Sequence, residues 1–263
     1  MNPAIRDYFE TIDSTIARIV AVADPFAPGE RTHASAFEAL ARSIASQQIS
    51  WVVARKLLER LCALFGGSFP TPAQLATTPV TALRAVGFSF AKVAALHDLA
   101  AHAQDGRLPD DTSLRQLDDE GIIERCVIVR GIGRWTVQML LMFHFGRPDV
   151  MPADDFGVRK GFQLAYGLKG LPKPRALLAF AERWKPHRSA AAWYMWRAVE
   201  LHQQGKLPRR QGRAPRIEIE MPKATAARAT PRRKPRAPAK AKARAKLKAK
   251  RTVSRRAPRA RRT

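Results

Sequence analysis

Apolar residues recur at steps of three and four through roughly the first 205 residues of this 263-residue chain. Leu, Ile, Val, Phe and Ala at this spacing form one apolar stripe on an α-helix, whereas a half-buried β-strand would alternate with a period of two. No convincing strand alternation and no internal repeat interrupts the pattern. The sequence therefore predicts an all-α domain over residues 1–205.

Segments containing proline and glycine divide this domain into short helices. Helices are predicted over residues 3–22, 34–48, 50–65, 72–77, 79–85, 89–104, 113–118, 120–127, 134–145, 155–167, 173–184 and 187–204. Because each short helix buries only one stripe, we expect them to pack around more than one small core, as two helical subdomains that flank a cleft.

Most of the formal net charge of +25 lies in residues 206–263, which contain 23 lysines and arginines and two acidic residues. This segment, called the tail below, has almost no large apolar side chains and cannot bury enough surface to offset the entropy cost of ordering. We expect a disordered tail that binds nucleic acid with a steep salt dependence. A solubility tail or a tether to an anionic membrane is the alternative.

The cysteine and histidine content argues against a metal centre. Cys62 and Cys126 lie in apolar helical patterns and are predicted to be buried, unreactive thiols. Two thiols cannot supply a four-cysteine zinc site or an iron–sulfur cluster. His144, His187 and His202 have no partner at metal-ligand spacing, so we expect them to be solvated or to cap helices.

The sequence shows no targeting segment. The first fifteen residues include acidic side chains and lack the apolar core of a signal peptide, and no apolar run reaches the length of a membrane span. We expect a soluble, monomeric protein that binds no membrane and is cytoplasmic and nucleoid-associated, or nuclear in a eukaryote.

The segment VRGIGRWTVQMLLMF, residues 129–143, places two glycines before an apolar helix. Inside a helix each would cost about 1 kcal/mol relative to alanine. In a tight turn, Gly131 and Gly133 can adopt a left-handed φ and let a phosphate approach the main chain. The helix that follows presents unpaired N–H groups to the same phosphate. Taken alone, the pattern more often indicates a simple corner between two helices.

A second motif, DVMPADDFGVRKGF, follows at residues 149–162. Together the two motifs resemble the helix-hairpin-helix superfamily of DNA glycosylases, whose signature is a Gly-X-Gly hairpin, a helix, a turn with proline and glycine, and an aspartate. AERWKPHRSAAAWYMW at 181–196 and SQQIS at 46–50 resemble segments of its 3-methyladenine DNA glycosylase II branch. The resemblance covers residues 35–205 and implies the glycosylase fold, with double-stranded DNA containing damaged bases as the partner.

The resemblance assigns catalysis to Asp155. Breaking an N-glycosidic bond develops oxocarbenium character at the sugar, so a carboxylate beside C1′ stabilises the charge and can steer a water onto it. The base must first be flipped out of the duplex. Aspartate also caps helices well. We expect Asp154 to support the site by capping or orienting while Asp155 carries the chemistry.

Trp135 predicts a monofunctional enzyme without AP lyase activity. Bifunctional members of the superfamily carry a lysine after Gly-X-Gly-Arg, which attacks C1′ and forms a Schiff base. The resemblance therefore implies a glycosylase that excises alkylated purines, of the 3-methyladenine and 7-methylguanine type, in base excision repair. It leaves the abasic site intact and needs no catalytic cofactor.

Four side chains fall on positions that line the base pocket of the family. Electron-poor N-alkylated purines would stack on aromatic faces there, with ~1 kcal/mol or more per contact when desolvated. The predicted pocket residues are Trp135, Phe156, Trp196 and Met139, the last at a position where a bacterial relative has tyrosine. Each aromatic could instead belong to the core.

The resemblance also implies DNA contacts and an ion at the hairpin. The residues expected to contact DNA are Gly131, Gly133, Arg134, Thr136, Gln47 and Gln48. The glycines and Thr136 would act through main-chain N–H groups, and Gln48 takes the position of a wedge inserted into the duplex, with a core or cap role as its alternative. The main-chain carbonyls of Val127, Val129 and Ile132 would hold a structural Na⁺ or K⁺ that bridges to a phosphate.

Two other classes of function fit part of the sequence. An architectural DNA-binding protein would keep the hairpin and the basic tail, but it has no use for a carboxylate such as Asp155 near phosphates. A glycosylase for oxidised or mismatched bases is the other alternative. Trp135 and the low cysteine count disfavour it.

Overall fold

The apolar stripes of the sequence form helices close to their predicted positions. The structure, a computed structural model, describes residues 3–26, 33–209 and 212–220, with the backbone alone for Pro3 and Ala4. In these ranges the α-helices are α1 (Pro3–Ile12), α2 (Ser14–Val20), α3 (Ala36–Ser46), α4 (Trp51–Ala63), α5 (Pro72–Thr77), α6 (Val80–Val86), α7 (Phe90–Gln104), α8 (Asp111–Arg115), α9 (Asp119–Val127), α10 (Arg134–Met139), α11 (Phe156–Tyr166), α12 (Pro174–Ala181) and α13 (Arg188–Gln203). The predicted all-α class is confirmed.

Side-chain caps fix several helix starts. Ser35 caps α3, and Thr71 forms a reciprocal capping box with Gln74 at the start of α5. Asp110 accepts the main-chain N–H of Ser113, so α8 begins two residues earlier than predicted. Such caps contribute about 1 kcal/mol each, because they satisfy N–H groups that the helix leaves unpaired.

The single helix predicted over residues 3–22 is wrong, because Asp13 divides it into α1 and α2. Asp13 has an extended backbone and caps α2 by accepting two of its main-chain N–H groups. Its other carboxylate oxygen accepts the hydroxyl of Tyr166 at 2.6 Å and the indole N–H of Trp184 at 3.0 Å. A buried carboxylate with four donors therefore takes the place of a continuous helix.

Two helices change geometry at their C-terminal ends. α10 continues as a π-helical turn over Leu140–His144, and α12 continues as a 3₁₀ turn over Glu182–Trp184. Single π-helical turns are rare and often occur at functional sites.

A short β-bridge adds an element that the helical periodicity did not predict. β1 (Leu171–Pro172) and β2 (Ile219–Glu220) pair antiparallel, and the N–H of Lys173 donates to the carbonyl of Glu218 at 2.9 Å. Residues 212–220 thus continue along the helical domain past the boundary predicted at residue 205. Residues 221–263 lie outside the described residues, so the disorder of the tail stays a prediction.

The helices pack in two groups. α3 contacts α4 and α7, and α5 contacts α7, whereas α13 contacts α2 and α11. The buried apolar side chains of both groups form one continuous cluster, in place of the separate small cores that we predicted. Val137 and Leu141, fully buried in α10 and its π-helical turn, belong to this cluster. None of the helices in the described part of the chain has the length and apolar content needed to cross a bilayer.

Candidate active site

The glycine segment forms a tight turn between α9 and α10. Gly131 has a φ of +79°, the left-handed region that favours glycine, and Gly133 is the N-cap residue of α10. The turn is tied to two other helices. The side-chain amide of Gln47 donates to the carbonyl of Gly131 at 2.8 Å, and the carboxylate of Asp98 accepts the N–H of Arg130 at 2.7 Å. Gln47, predicted to contact DNA, thus holds the turn in place.

Arg134 forms an ion pair instead of standing free beside the turn. Its guanidinium contacts both carboxylate oxygens of Glu120, one of them at 2.8 Å. The hydrogen bond with Arg134 lowers the pKa of Glu120. Both side chains are more than half exposed, so a phosphate can still approach the guanidinium.

Asp155 connects three helices through its carboxylate. One oxygen accepts the main-chain N–H of Val158 at 2.7 Å, which caps α11, and the indole N–H of Trp196 at 2.8 Å. The other oxygen accepts the indole N–H of Trp135 at 2.8 Å. The carboxylate is therefore fixed between three helices: α10, which follows the hairpin, α11 and α13.

The capping role predicted for Asp154 belongs to Asp155. Asp154 is exposed, and the N-cap residue of α11 is Asp155, whose carboxylate accepts the N–H of Val158. Gly157 makes this arrangement possible, because a Cβ at that position would lie 2.7 Å from a ring carbon of Trp196 and 3.0 Å from Asp155. The glycine after Phe156 is thus a sequence signal for the contact between Trp196 and Asp155.

A cavity of about 770 Å³ lies next to Trp135, and Asp155 itself does not line it. It is lined by parts of α3, α4, α10 and the π-helical turn. Two predicted pocket residues, Trp135 and Met139, line it, and so does Thr136, whose side chain is buried. Trp135 joins the cavity to the carboxylate, since the same indole lines the one and donates to the other.

The other two predicted pocket residues lie outside the cavity wall. Phe156 is 66% exposed at the start of α11. Trp196 is half-buried and stacks on Phe143, with ring centroids 6.1 Å apart and planes at 30°. Because Phe143 does line the cavity, Trp196 supports both the wall and Asp155.

The cavity also contains side chains that the motifs did not identify. Trp51 and Arg55 of α4 line it, together with Phe143 and His144 of the π-helical turn. The motif comparison offered no signal for them, because aromatics at helical spacing usually belong to a core. For Trp51 alone there is a sequence signal, since this residue directly follows the SQQIS motif.

The histidines and cysteines differ from one another in burial. His144, predicted to be solvated or capping, is buried, and its Nε2 lies 2.6 Å from the carboxylate of Asp111. His202 is exposed, and His187 precedes α13. Cys126 is fully buried, which raises the pKa of its thiol to about 12, whereas Cys62 is half-buried and lines the cavity.

Gln48, the expected wedge, is exposed, and the carbonyl of Val129, an expected ion ligand, lies at the hairpin turn. Gln48 is exposed and has a φ of +58°, an uncommon value for a residue other than glycine. The carbonyl of Val129 accepts the N–H of Ile132 at 3.1 Å, which uses one of its two lone pairs. The remaining lone pair and the other turn carbonyls are suitable oxygen ligands for a hard cation. The ion itself stays a prediction.

The comparison with known proteins identifies the family of this chain. Residues 41–187, which contain the SQQIS segment, the hairpin and Asp155, match the HhH-GPD superfamily of base excision DNA repair proteins. The chain belongs to this superfamily. It is 38% identical over 166 residues to DNA-3-methyladenine glycosylase 1 of Schizosaccharomyces pombe, and the match covers 63% of this chain and 73% of that protein.

Solved structures of the superfamily share the fold of this HhH-GPD protein. A 3-methyladenine DNA glycosylase of Schizosaccharomyces pombe in complex with abasic DNA superposes with a TM-score of 0.68 at 34% identity, over 75% of this chain and 97% of that one. A DNA-3-methyladenine glycosidase from Bacillus halodurans superposes with a TM-score of 0.66 at 29% identity, over 77% and 92% of the two chains. The predicted helix-hairpin-helix glycosylase fold is confirmed.

Proposed function

We propose that this HhH-GPD protein is a monofunctional DNA glycosylase that excises alkylated purines in base excision repair. The observation that carries the proposal is the carboxylate of Asp155, which accepts two indole N–H groups, one of them from Trp135, which also lines the apolar cavity that follows the hairpin. Relatives named as 3-methyladenine glycosylases, one of them solved with abasic DNA, support the substrate class and the partner.

The reaction begins when the damaged nucleotide leaves the base stack and its base enters the cavity. The glycosidic bond then lengthens and positive charge develops on the sugar, where the fixed negative charge of Asp155 stabilises it. The three N–H donors prevent the carboxylate from turning away, and they leave it acceptor capacity for an attacking water. The purine leaves with the electron pair of the broken bond, so a cationic base departs neutral. The oxygen of the water bonds to C1′ and releases a proton to solvent, which leaves an abasic site.

The cavity favours bases that carry positive charge. An N-alkylated purine is an electron-poor ring, and the cavity wall contains the indole of Trp135. Cation–π attraction to an aromatic side chain is strongest for tryptophan. Met139 adds a flexible, polarisable contact that adapts to rings of different shape. An unmodified, neutral purine gains less from both.

The absence of an amine at Trp135 supports hydrolysis without lyase chemistry. A Schiff base at C1′ requires a deprotonated lysine. The cavity wall formed by the described residues contains arginine and histidine but no lysine. We therefore expect intact abasic DNA as the product, which a strand-cleavage assay on the purified reaction product would check.

DNA binding combines the hairpin with the tail. The main-chain N–H groups of Gly131, Gly133 and Thr136, beside Arg134, would contact one phosphate of the lesion strand. Gln48 would fill the gap that the flipped base leaves. The basic tail adds attraction to DNA that is independent of sequence and falls steeply with salt. The proposal also includes a bound Na⁺ or K⁺ at the hairpin, a monomeric protein, and a cytoplasmic or nuclear location on DNA.

The decisive experiment measures base release from methylated duplex DNA by wild type, Asp155→Asn and Asp154→Asn. Wild type should release 3-methyladenine and 7-methylguanine. Asp155→Asn should be at least about 100-fold slower, because it removes a fixed charge that stabilises the transition state. Asp154→Asn changes a neighbouring exposed carboxylate and should be near wild type. Failure of wild type to release either base rejects the substrate class, and equal rates for wild type and Asp155→Asn reject the residue.

A truncation after residue 220 separates a glycosylase from an architectural DNA-binding protein. It removes the basic end of the tail and keeps β2 in place. A glycosylase should retain its turnover on short duplexes and lose mainly salt-sensitive affinity. Loss of all activity together with the tail would favour the architectural protein. Release of oxidised or mismatched bases in place of alkylated ones would favour a glycosylase for another lesion.

A further inference from the structure

We infer that Trp51 is a second base-binding residue, which stacks on the extruded purine in the cavity that Trp135 also lines. The inference rests on the proposed function and adds a specificity-determining residue that the motif comparison did not identify. Its basis is the position of one highly exposed indole at a cavity that already contains another.

Trp51 is unusually exposed for its size. The side chain is 74% exposed, compared with 47% for Trp135. Phe90, at 69%, is the nearest comparison in the described structure, and the guanidinium of Arg84 covers its ring at 4.3 Å. No other described residue gives the Trp51 side chain a ring contact, a cation contact or a hydrogen bond. An uncovered indole of this kind indicates a binding role more than a packing role.

The backbone holds Trp51 next to the hairpin that grips DNA. Trp51 is the first residue of α4, and the carbonyl of Ser50 accepts the N–H of Ala54 at 2.9 Å as that helix starts. Three residues earlier Gln48 has a φ of +58°, and Gln47 is bonded to Gly131 in the turn. The main chain at Trp51 is therefore fixed relative to this turn and to the expected wedge, Gln48, while its indole stays uncovered.

The side chains that line the cavity favour a flat ring as the occupant. α4 supplies one indole and α10 supplies the other, so a planar base that enters between these helices meets aromatic surface from both. Stacking of a nucleobase on an aromatic side chain tolerates different bases, because every base has a π-face. An alkylated, cationic purine adds cation–π attraction to each indole.

The test compares two duplexes with full-length wild type, Trp51→Ala, Trp51→Phe and Val52→Ala at one fixed salt concentration. The first duplex carries 2′-fluoro-arabino 7-methylguanine, in which the fluorine slows glycosidic cleavage so that the base stays in place. The second carries a tetrahydrofuran abasic analogue, which has no base. Fluorescence anisotropy gives the dissociation constants.

Trp51→Ala should weaken binding of the first duplex by about tenfold, within the range known for loss of one base-stacking contact, and leave the second unchanged. Trp51→Phe should keep most of the affinity, because it retains a ring. Val52→Ala changes the next exposed side chain of α4, which does not line the cavity, and should match wild type on both duplexes.

Two results would overturn the inference while leaving the proposed function intact. Trp51→Ala could equal wild type on both duplexes, which would show that the indole touches no DNA. It could also weaken both duplexes equally, which would place its contact on the strand and not on the base. If wild type releases neither methylated base in the excision assay, the proposed function fails, and the inference that rests on it fails with it.

Discussion

The two sides of the candidate site hold their polar groups in opposite ways. One side, which we call the frame, consists of α2, α11 and α13. The carboxylates that cap α2 and α11 are surrounded by donors there: Asp13 accepts from Tyr166 and Trp184, and Asp155 accepts from Trp196 of α13. On the other side, the open wall, α3 and α4 present side chains to solvent. Arg55 and Glu59 are 3.5 Å apart there, and both are more than half exposed.

This difference follows from what each side does in the proposed reaction. A charge that stabilises a transition state must be in place before the reaction, because reorientation at that moment would cost free energy. A surface that binds DNA and a flipped base does not benefit from strong contacts within the protein, because these contacts would have to break when the ligand binds. The frame therefore determines where the charge lies, and the open wall leaves the indole of Trp51 uncovered and Arg55 in an exposed ion pair that a ligand can replace.

The closest packing in the frame predicts the largest effect. A Cβ on Gly161 in α11 would lie 1.8 Å from the main-chain carbonyl oxygen of Met195 in α13, so Gly161→Ala must push the two helices apart. We expect a loss of about 3 kcal/mol or more in the free energy of unfolding, at the upper end of overpacking effects. Urea denaturation followed by circular dichroism measures it.

Gly133→Ala is the matched control for this prediction. A Cβ at Gly133 meets nothing within 4 Å, and its φ of −102° is accessible to alanine. Its stability should stay within about 0.5 kcal/mol of wild type. If Gly161→Ala is equally stable, the frame is less rigid than its packing indicates.

The buried pair of Tyr166 and Asp13 predicts a smaller effect that depends on pH. Burial, with the charge of Asp13 and the hydrogen bond to it, raises the pKa of Tyr166 well above its ordinary value of 10. The folded protein then keeps the phenolic proton at pH values where the unfolded chain releases it. The stabilisation is complete below about pH 10 and decreases as the pH rises above it, by up to about 1.4 kcal/mol per pH unit for this group.

Tyr166→Phe should therefore cost different amounts at different pH values. At pH 7 the loss of one hydrogen bond to a buried carboxylate should cost about 1–2 kcal/mol. By pH 11 the difference from wild type should shrink or reverse, because only wild type carries the titrating phenol at this position. Cys126 titrates in both proteins and cancels. A difference that stays constant from pH 7 to pH 11 would contradict the assignment.

The frame and the open wall also differ in how well the sequence predicted them. The helix periodicity located nearly all helices, and the motifs located the hairpin, Asp155 and Trp135. The helix periodicity did not predict the break at Asp13, because the cause of the break is not local. Two of the donors to Asp13, Tyr166 and Trp184, are more than 150 residues away in the sequence. A two-residue strand such as β2 shows no alternation at all, so periodicity cannot detect it.

On the open wall, the sequence predicted few of the cavity residues, because the exposure of a side chain is a property of the folded chain. Trp51 is one apolar residue in an apolar helix until the structure shows that its side chain is uncovered. Phe156 shows the opposite case, since the motif placed it in the pocket and the fold leaves it 66% exposed outside the cavity. The spacing of residues identifies which helix carries a side chain. It does not identify what that side chain faces.

The smallest expected effect on stability is that of Arg55→Ala on the open wall. An exposed ion pair contributes about 0–0.5 kcal/mol within a helix, because water and salt screen it and two long side chains must be ordered. Arg188 in the frame is the contrasting residue: it is 18% exposed and bonds both carboxylate oxygens of Asp149, at 2.7 and 2.9 Å. Arg188→Ala should lose about 2 kcal/mol. Equal losses in thermal or urea unfolding would show that the two sides do not differ.

If Arg55→Ala leaves stability unchanged, any loss of excision in that variant reports a contact with DNA, because the fold is not perturbed.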